Sequence, residues 1–490
     1  MRRLVLALAA LGLCGAVVAA QQTATQGQPP TKAAGTVLKN RAPVSKDILK
    51  VTLPRPQEAD LPNGIHLIVL EDHRAPIVTL QMIIGGAGGY YDPPSMPGLA
   101  GFTAALMREG TTTKTSEQIS EALDRLAATV GGGASLSSPY ASVTGSGLST
   151  NLDTVLALMA DVLMHPSFAD AEIARYKTRT RGGLTLQRSQ PTFLGLERLN
   201  KVVFGDHPAS RTSATPAALD AVTHDALAEF HKAHYVPDHA VLAVAGDITV
   251  AQARSKAEAA FGPWAKSGAP LQRPDNPAPL TGPTLSLVAR PASVQTTLLV
   301  GTQSIERTSP DYEALTVANR ILGGPEGRLF EHLREQKGYT YGASSGFSSG
   351  LFVGSWIANT DVRTEVTDPA LTDLLDEIRQ MRDMPVSDKE LSDTKRAIVA
   401  GFARQLESAN AVLGDFVDVY MYKLPPDYWD RYPERIQAVT AADVQRVAKK
   451  YWPADRLQIV AVGDGSQVVP VLKKLGAVQE FDADGKPVVK

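Results

Sequence analysis

The sequence predicts an α+β chain made of two homologous strand-and-helix halves, and three observations predict it. Short apolar runs alternate with helical patterns along most of the 490 residues. The end of the first half reappears 216 residues later: Tyr235-Val236-Pro237-Asp238 leads into Ala240-Val241-Leu242-Ala243-Val244-Ala245-Gly246-Asp247, and Tyr451-Trp452-Pro453-Ala454-Asp455 into Leu457-Gln458-Ile459-Val460-Ala461-Val462-Gly463-Asp464. Between the halves, residues 263–283 are rich in proline and read as a linker. Each half is then ~200 residues, an ordinary domain size.

In chain order, Arg2 and Arg3 precede an apolar run over residues 4–20, with small Val18 and Ala20 at the −3 and −1 positions of a cleavage site. This pattern predicts a secretory signal peptide cut after Ala20 and a periplasmic protein; the alternative is an uncleaved anchor. Cys14 is the sole cysteine and would leave with that segment, so the mature chain would have no disulfide and no thiolate ligand. Leu13 before it is too large for a lipoprotein box. Residues 21–57 are polar and read as a flexible linker.

The first domain, 58–264, opens on the Asn63-Gly64 turn signal and a strand at 65–70, with 77–84 as its hairpin partner. A helix over 97–108 presents Leu99, Ala100, Phe102, Thr103 and Leu106 on one side. Thr115 and Ser116 cap a second helix over 117–129, which Gly131-Gly132-Gly133 is expected to end. An alternating strand to 148, a helix over 152–164, a longer basic helix from Asp170 and the strand 240–245 complete the half. The second domain, 286–475, repeats the plan after a linker at 265–285. It has strands at 286–288 and 296–300, a helix over 310–322, a helix-turn-strand unit over 328–347, and helices at 371–381 and 388–408. Residues 476–490 read as a tail.

The net charge of −2 gives no general pull toward nucleic acid or an anionic membrane, and no segment beyond the leader is apolar enough to span a bilayer. Gly85-Gly86 and Gly323-Gly324 lack the Lys and Ser/Thr of a phosphate loop, and no G-x-S-x-G elbow occurs. His224, Glu229, His231, His234 and His239 form a loose group without zinc-motif spacing. His332-Leu333-Arg334-Glu335-Gln336 nearly spells an inverted zinc motif but lacks its second histidine.

Three stretches resemble the pitrilysin/insulinase peptidase family: Gly85 through Tyr91 followed by Asp92-Pro93-Pro94, then Pro97-Gly98-Leu99-Ala100, and Gly110-Thr111-Thr112. The resemblance runs from about residue 58 to 470. It implies that each half is an antiparallel sheet packed with helices, the two together forming one half of a clamshell. In active members the helix after Pro97 carries H-x-x-E-H, two histidines on zinc and a glutamate acting as general base. The matching positions here are Gly101, Ala104 and Ala105, which have neither a lone pair to ligate metal nor a base to take a proton. The family's further glutamate ligand has no counterpart between Glu172 and Glu197, where Arg175, Lys177, Arg179, Arg181 and Arg188 stand instead; apart from the resemblance, that stretch reads as a solvated charged face. The resemblance therefore implies no metal in this chain.

A second signature is intact. Gly323-Gly324-Pro325-Glu326-Gly327-Arg328-Leu329-Phe330-Glu331-His332-Leu333-Arg334-Glu335-Gln336-Lys337-Gly338-Tyr339-Thr340-Tyr341 resembles the family's second-half motif. There an arginine and a tyrosine seven apart hydrogen-bond the peptide near its scissile carbonyl; Arg334 and Tyr341 match them. Without the resemblance, they read as a surface ion-pair residue and an edge aromatic. The Gly/Ser-rich stretch 133–138 matches the family's peptide-pairing edge strand, which places Gly133, Ala134 and Ser135 against substrate; the plain reading is a flexible edge. The resemblance thus implies a non-catalytic, substrate-binding subunit of a periplasmic heterodimeric zinc peptidase. A homologous subunit would hold the zinc, and peptides or unfolded segments would be the substrate. The alternatives are a pseudo-enzyme scaffold with no part in hydrolysis and a self-sufficient metallopeptidase with an unrecognised metal site.

Overall fold

Six residues in a row, Ala240 to Ala245, are apolar, and a strand of that kind is stable only with both faces covered. The computed structural model, which describes residues 50–488, accordingly places them in the interior of a sheet. The first half contains β1 (Gln57–Asp60), β2 (His66–Glu71), β3 (Ile77–Gly85), α1 (Leu99–Leu106), α2 (Ser116–Leu126), β4 (Thr129–Ala134), β5 (Tyr140–Leu148), α3 (Leu152–Met164), α4 (Asp170–Arg188), α5 (Pro191–Phe204), α6 (Pro216–Ala221), α7 (His224–His234), β6 (Ala240–Gly246) and α8 (Val250–Phe261). Its sheet has the order β1-β2-β6-β3-β5-β4. The strands β2 and β3 are therefore not the hairpin that their short connection suggests. The strand β6 inserts between them, parallel to β2 and antiparallel to β3, because it has apolar side chains for both faces. The glycine triplet also has a different place. Thr115 and Gln118 form a capping box that starts α2, which ends at Leu126, and Gly131–Gly133 lie inside the edge strand β4.

The second half repeats the arrangement with β7 (Thr284–Ala289), β8 (Gln295–Gln303), α9 (Tyr312–Gly323), α10 (Arg328–Phe330), β9 (Thr340–Phe347), β10 (Ser355–Arg363), α11 (Thr367–Asp383), α12 (Asp388–Gln405), α13 (Ala409–Tyr422), α14 (Tyr432–Ala438), α15 (Ala441–Tyr451), β11 (Gln458–Gly463), α16 (Gly465–Lys473) and β12 (Val478–Phe481). The order is β12-β7-β11-β8-β10-β9, mostly antiparallel, with β7 parallel to both β11 and β12. The strand β12 falls in the stretch read as a tail, where buried Phe481 anchors it. Residues 50–56, part of the stretch read as a flexible linker, are tied down: Leu53 is buried, and its N–H donates to Asp430 at 2.9 Å. The leader, and the linker as far as residue 49, lie outside the described residues. Among the described residues no helix is long and apolar enough to cross a membrane.

Both sheets are covered on both faces, and the halves exchange helices to do it. On the first sheet, Leu67, Val69, Leu80, Met82 and Leu242 share a core with Phe102, Leu156, Met159 and Phe261 of their own half. The opposite face, with Ile68, Leu70, Ile83, Val241 and Ala243, is buried with Val412, Leu413 and Phe416 of α13, from the second half. Conversely, Leu299 and Val460 of the second sheet pack on Leu199 and Val203 of α5, and Val288 and Val462 on Leu194. The helix α5 sits so close that a Cβ on Gly195 would run into the Leu299 side chain. The proline-rich linker is fastened across this arrangement: Gln272 O accepts from the Tyr91 hydroxyl at 2.6 Å, and Ala278 O from Gln303 Nε2 at 2.7 Å.

Candidate functional site

The two groups of residues singled out by the sequence lie at the outer edges of the two sheets. The helix α1 starts where Asp92, almost fully buried, accepts from the backbone N–H groups of Gly98 (2.6 Å) and Ala100 (2.7 Å). Arg211 locks the preceding loop by donating to the carbonyls of Gly89 (2.9 Å) and Asp92 (3.2 Å). Burial pushes the Asp92 carboxyl up to about 6, against the pull of those two N–H groups. This cap was not recognised in the sequence, although Asp92-Pro93-Pro94 before a helix was its signal.

So positioned, α1 lies directly on β4. A Cβ on Gly132 would sit 2.6 Å from the Ala104 carbonyl oxygen, and one on Gly101 would sit 3.1 Å from the Ala134 carbonyl oxygen. Ala104 is fully buried; Gly101 and Ala105 are half-buried. These three positions do not fit a zinc ion. They offer no donor side-chain atoms, and Ala104 is fully buried where its carbonyl meets Gly132 of β4. The helix α4, where a further ligand would come from, faces α1 with Tyr176, its ring 5.9 Å from that of Phe102. Arg179 lies over the Tyr176 ring, 5.2 Å from its centroid, while other cations of α4 are paired: Arg175 with Glu172, Arg181 with Asp220, and Arg188 with Glu197 at 3.0 Å.

The strand β4 is the last in its sheet, and its outer edge is open over Thr129–Ala134. Gly133 and Ala134 lie on that edge. Ser135 lies beyond it, with its carbonyl already accepting from the N–H groups of Gly89 (3.0 Å) and Ser138 (3.2 Å).

Arg334 and Tyr341 come together beside the edge strand of the second sheet. The helix α10 widens into a π-helical turn over Glu331–Gln336, a geometry frequent at functional sites. Leu329 and Leu333, both fully buried, pin it. Gly338 ends it in the left-handed region (φ 64°), with its N–H on Arg334 O at 3.0 Å. The chain then enters β9, the last strand of the second sheet. The Arg334 guanidinium lies 4.9 Å from the Tyr341 ring centroid and 4.7 Å from that of Phe330, and its Nε is 3.4 Å from Glu335. Tyr341 is 89% exposed, which is costly for a large aromatic ring without a partner. A half-buried guanidinium beside the exposed phenol of an edge-strand tyrosine gives two kinds of hydrogen-bond donor. No hydrogen bond or ring contact joins this pair to β4 among the described residues.

The histidines of the loose group have separate duties. The ring of His231 bonds Leu163 O (2.8 Å), His239 bonds Ala269 O (2.9 Å), His224 bonds Asp225 (2.9 Å), and burial lowers the pKa of His234. His332 is bonded to Glu377 at 2.8 Å. Among the described residues no group of three or more His, Cys, Asp or Glu side chains is placed to hold a metal ion.

Comparison with known proteins gives the family and agrees with the fold. The family profile described as "Insulinase (Peptidase family M16)" matches residues 67–217, and "Peptidase M16 inactive domain" matches 221–398. The "Uncharacterized zinc protease YmxG" of Bacillus subtilis is 24% identical over 356 residues, 71% of this chain and 84% of that protein. A crystal structure from Pseudomonas fluorescens described as a peptidase M16 inactive domain is 28% identical, with a TM-score of 0.75, covering 84% of this chain and 98% of that one. The periplasmic protease PqqL from Escherichia coli shares the fold at 16% identity and a TM-score of 0.71; the match covers 92% of this chain but 50% of that one. The chain belongs to the insulinase peptidase family, M16.

Proposed function

We propose that this protein is the non-catalytic, substrate-binding subunit of a periplasmic heterodimeric zinc peptidase, delivered there by a signal peptide removed after Ala20. One contrast carries the reading: the helix face that would hold the metal is reduced to Gly101, Ala104 and Ala105, while Arg334, on the π-helical turn, stays paired with exposed Tyr341 of β9. A homologous partner bearing H-x-x-E-H supplies the zinc and the general base. This chain supplies donors for the carbonyl that becomes an oxyanion, and strand edges along which an extended peptide can lie. The E. coli protease, whose chain is about twice the length matched here, supports a reading in which a second chain is paired with this one.

The test is co-expression with a homologue that carries H-x-x-E-H, followed by a peptide-hydrolysis assay of the complex. Hydrolysis should require both chains, and Arg334→Ala should lower kcat about 10²–10³-fold, the usual loss for one oxyanion donor. Unchanged turnover in the Arg334→Ala complex would reject the substrate-contact role and leave a scaffold.

A further inference from the structure

The strand registers identify a site that the family signature does not mark. In the first sheet Gly132 lies opposite Val143, Val143 opposite Met82, and Met82 opposite Leu242. In the second, Ser345 lies opposite Ala358, Ala358 opposite Val300, and Val300 opposite Ile459. Leu242 and Ile459 are matching positions of the duplicated strand, so Gly132 and Ser345 are equivalent positions. The helix residue over Gly132 is Ala104; the one bonded to Ser345 is Asn319, whose Oδ1 accepts from Ser345 Oγ at 2.8 Å and whose Nδ2 donates to Ser345 O at 3.2 Å. Counting three back and one on, Thr316 and Arg320 of α9 correspond to Gly101 and Ala105. The second half therefore keeps a polar face where the first half has an empty one.

That face lines an open cavity of about 630 Å³ whose wall includes Thr316, Asn319, Arg320 and Ser345, with Arg404 of α12 on the rim. No Asp or Glu lines it. Neither Arg320 nor Arg404 has an ion-pair partner among the described residues. Nearby guanidiniums do: Arg328 bonds Glu390 at 2.8 Å, and Arg435 bonds Glu313 at 2.6 Å. Gly323 and Gly324 are packed against Ser345 and Arg320, Ala400 and Gly401 leave the opposite wall roomy, and Ser345 brings the open edge strand β9 along one side. Two unneutralised guanidiniums in a polar recess beside a free strand edge select a carboxylate, which takes the planar N–H fork.

We propose that this cavity is a carboxylate subsite, in which Arg320 and Arg404 hold an acidic side chain, or the C-terminal carboxylate, of a peptide lying along β9. The inference rests on the peptide-binding reading above and adds a substrate class to it: peptides carrying a negative charge.

Fluorescence anisotropy on the full chain tests it with labelled unstructured twelve-residue peptides: one with a central Glu and a free C-terminus, one with Gln in its place, and one amidated. Replacing the bound carboxylate should weaken binding about tenfold or more at low salt, by the usual strength of a hydrogen bond to a charged group. Loss on Glu→Gln assigns the side chain, and loss on amidation assigns the terminus. Arg320→Gln and Arg404→Gln, at a half-buried and an exposed position, should erase the difference between peptides while leaving the affinity for the weakest-binding one. Equal affinity for all three peptides overturns the subsite and leaves the peptide-binding reading standing. Failure to bind any of them overturns both.

Discussion

Asp415 shows how a single residue can tie this fold to pH. It lies buried on α13, where Gln405 donates to Oδ1 at 3.3 Å and Oδ2 has no partner. Burial, with Asp418 one turn away, raises its carboxyl to about 7, against the pull of Arg307. The folded chain therefore keeps a proton that the unfolded chain gives up near 4. Protons bound in the native state exceed those in the unfolded state between about 4 and 7, so this residue's contribution to stability falls as pH rises through that window. Urea denaturation of wild type and Asp415→Asn should show the variant gaining on wild type from pH 4 to 7 and more stable at pH 8. A constant difference across that range would refute the account. None of this was legible in the sequence, because a carboxyl's burial depends on helices distant in the chain. The opposite holds for Arg334 and Tyr341: the family resemblance singled out the pair, and a helix ended by Gly338 and followed by a strand places them within one local segment.

Among the elements, α1 and β4 explain why the metal face is not simply waiting for its side chains. Their closeness depends on Gly132, and Ala104 is the residue pressed against it. Restoring the motif with Gly101→His, Ala104→Glu and Ala105→His together should lower stability by about 1–3 kcal/mol through overpacking. The variant should not take up one zinc per chain in metal analysis after dialysis, since α4 still offers Tyr176 and cations instead of a carboxylate. Stoichiometric zinc would show that the site needs only its three residues. At this scale the sequence was a partial guide. Amphipathic helices such as α1 and α3 were read from their periodicity, and the duplicated strand revealed the repeat. The place of β6 was not read, since chain proximity favours β2 with β3 and only two-sided burial reverses it. The glycine triplet misled for a similar reason: glycine ends helices, but here it lets one lie against a strand.

For the whole molecule, the exchange of α5 and α13 is the feature that joins the halves. Each helix covers the far face of the other half's sheet, so the apolar runs of β6 and β11 are satisfied only by the complete chain. Gly195→Leu would push α5 off Leu299 and should cost about 1–3 kcal/mol or more in chemical denaturation, as a loss of one cooperative transition. Two separate transitions in wild type would contradict that coupling. The exchange also sets an order of events during synthesis. When the ribosome has released residue 264, every strand of the first sheet exists, yet one side of it still faces water, and it stays bare until residue 422 has followed. For as long as that takes, an apolar face is open to any chaperone or export factor that holds unfinished chains.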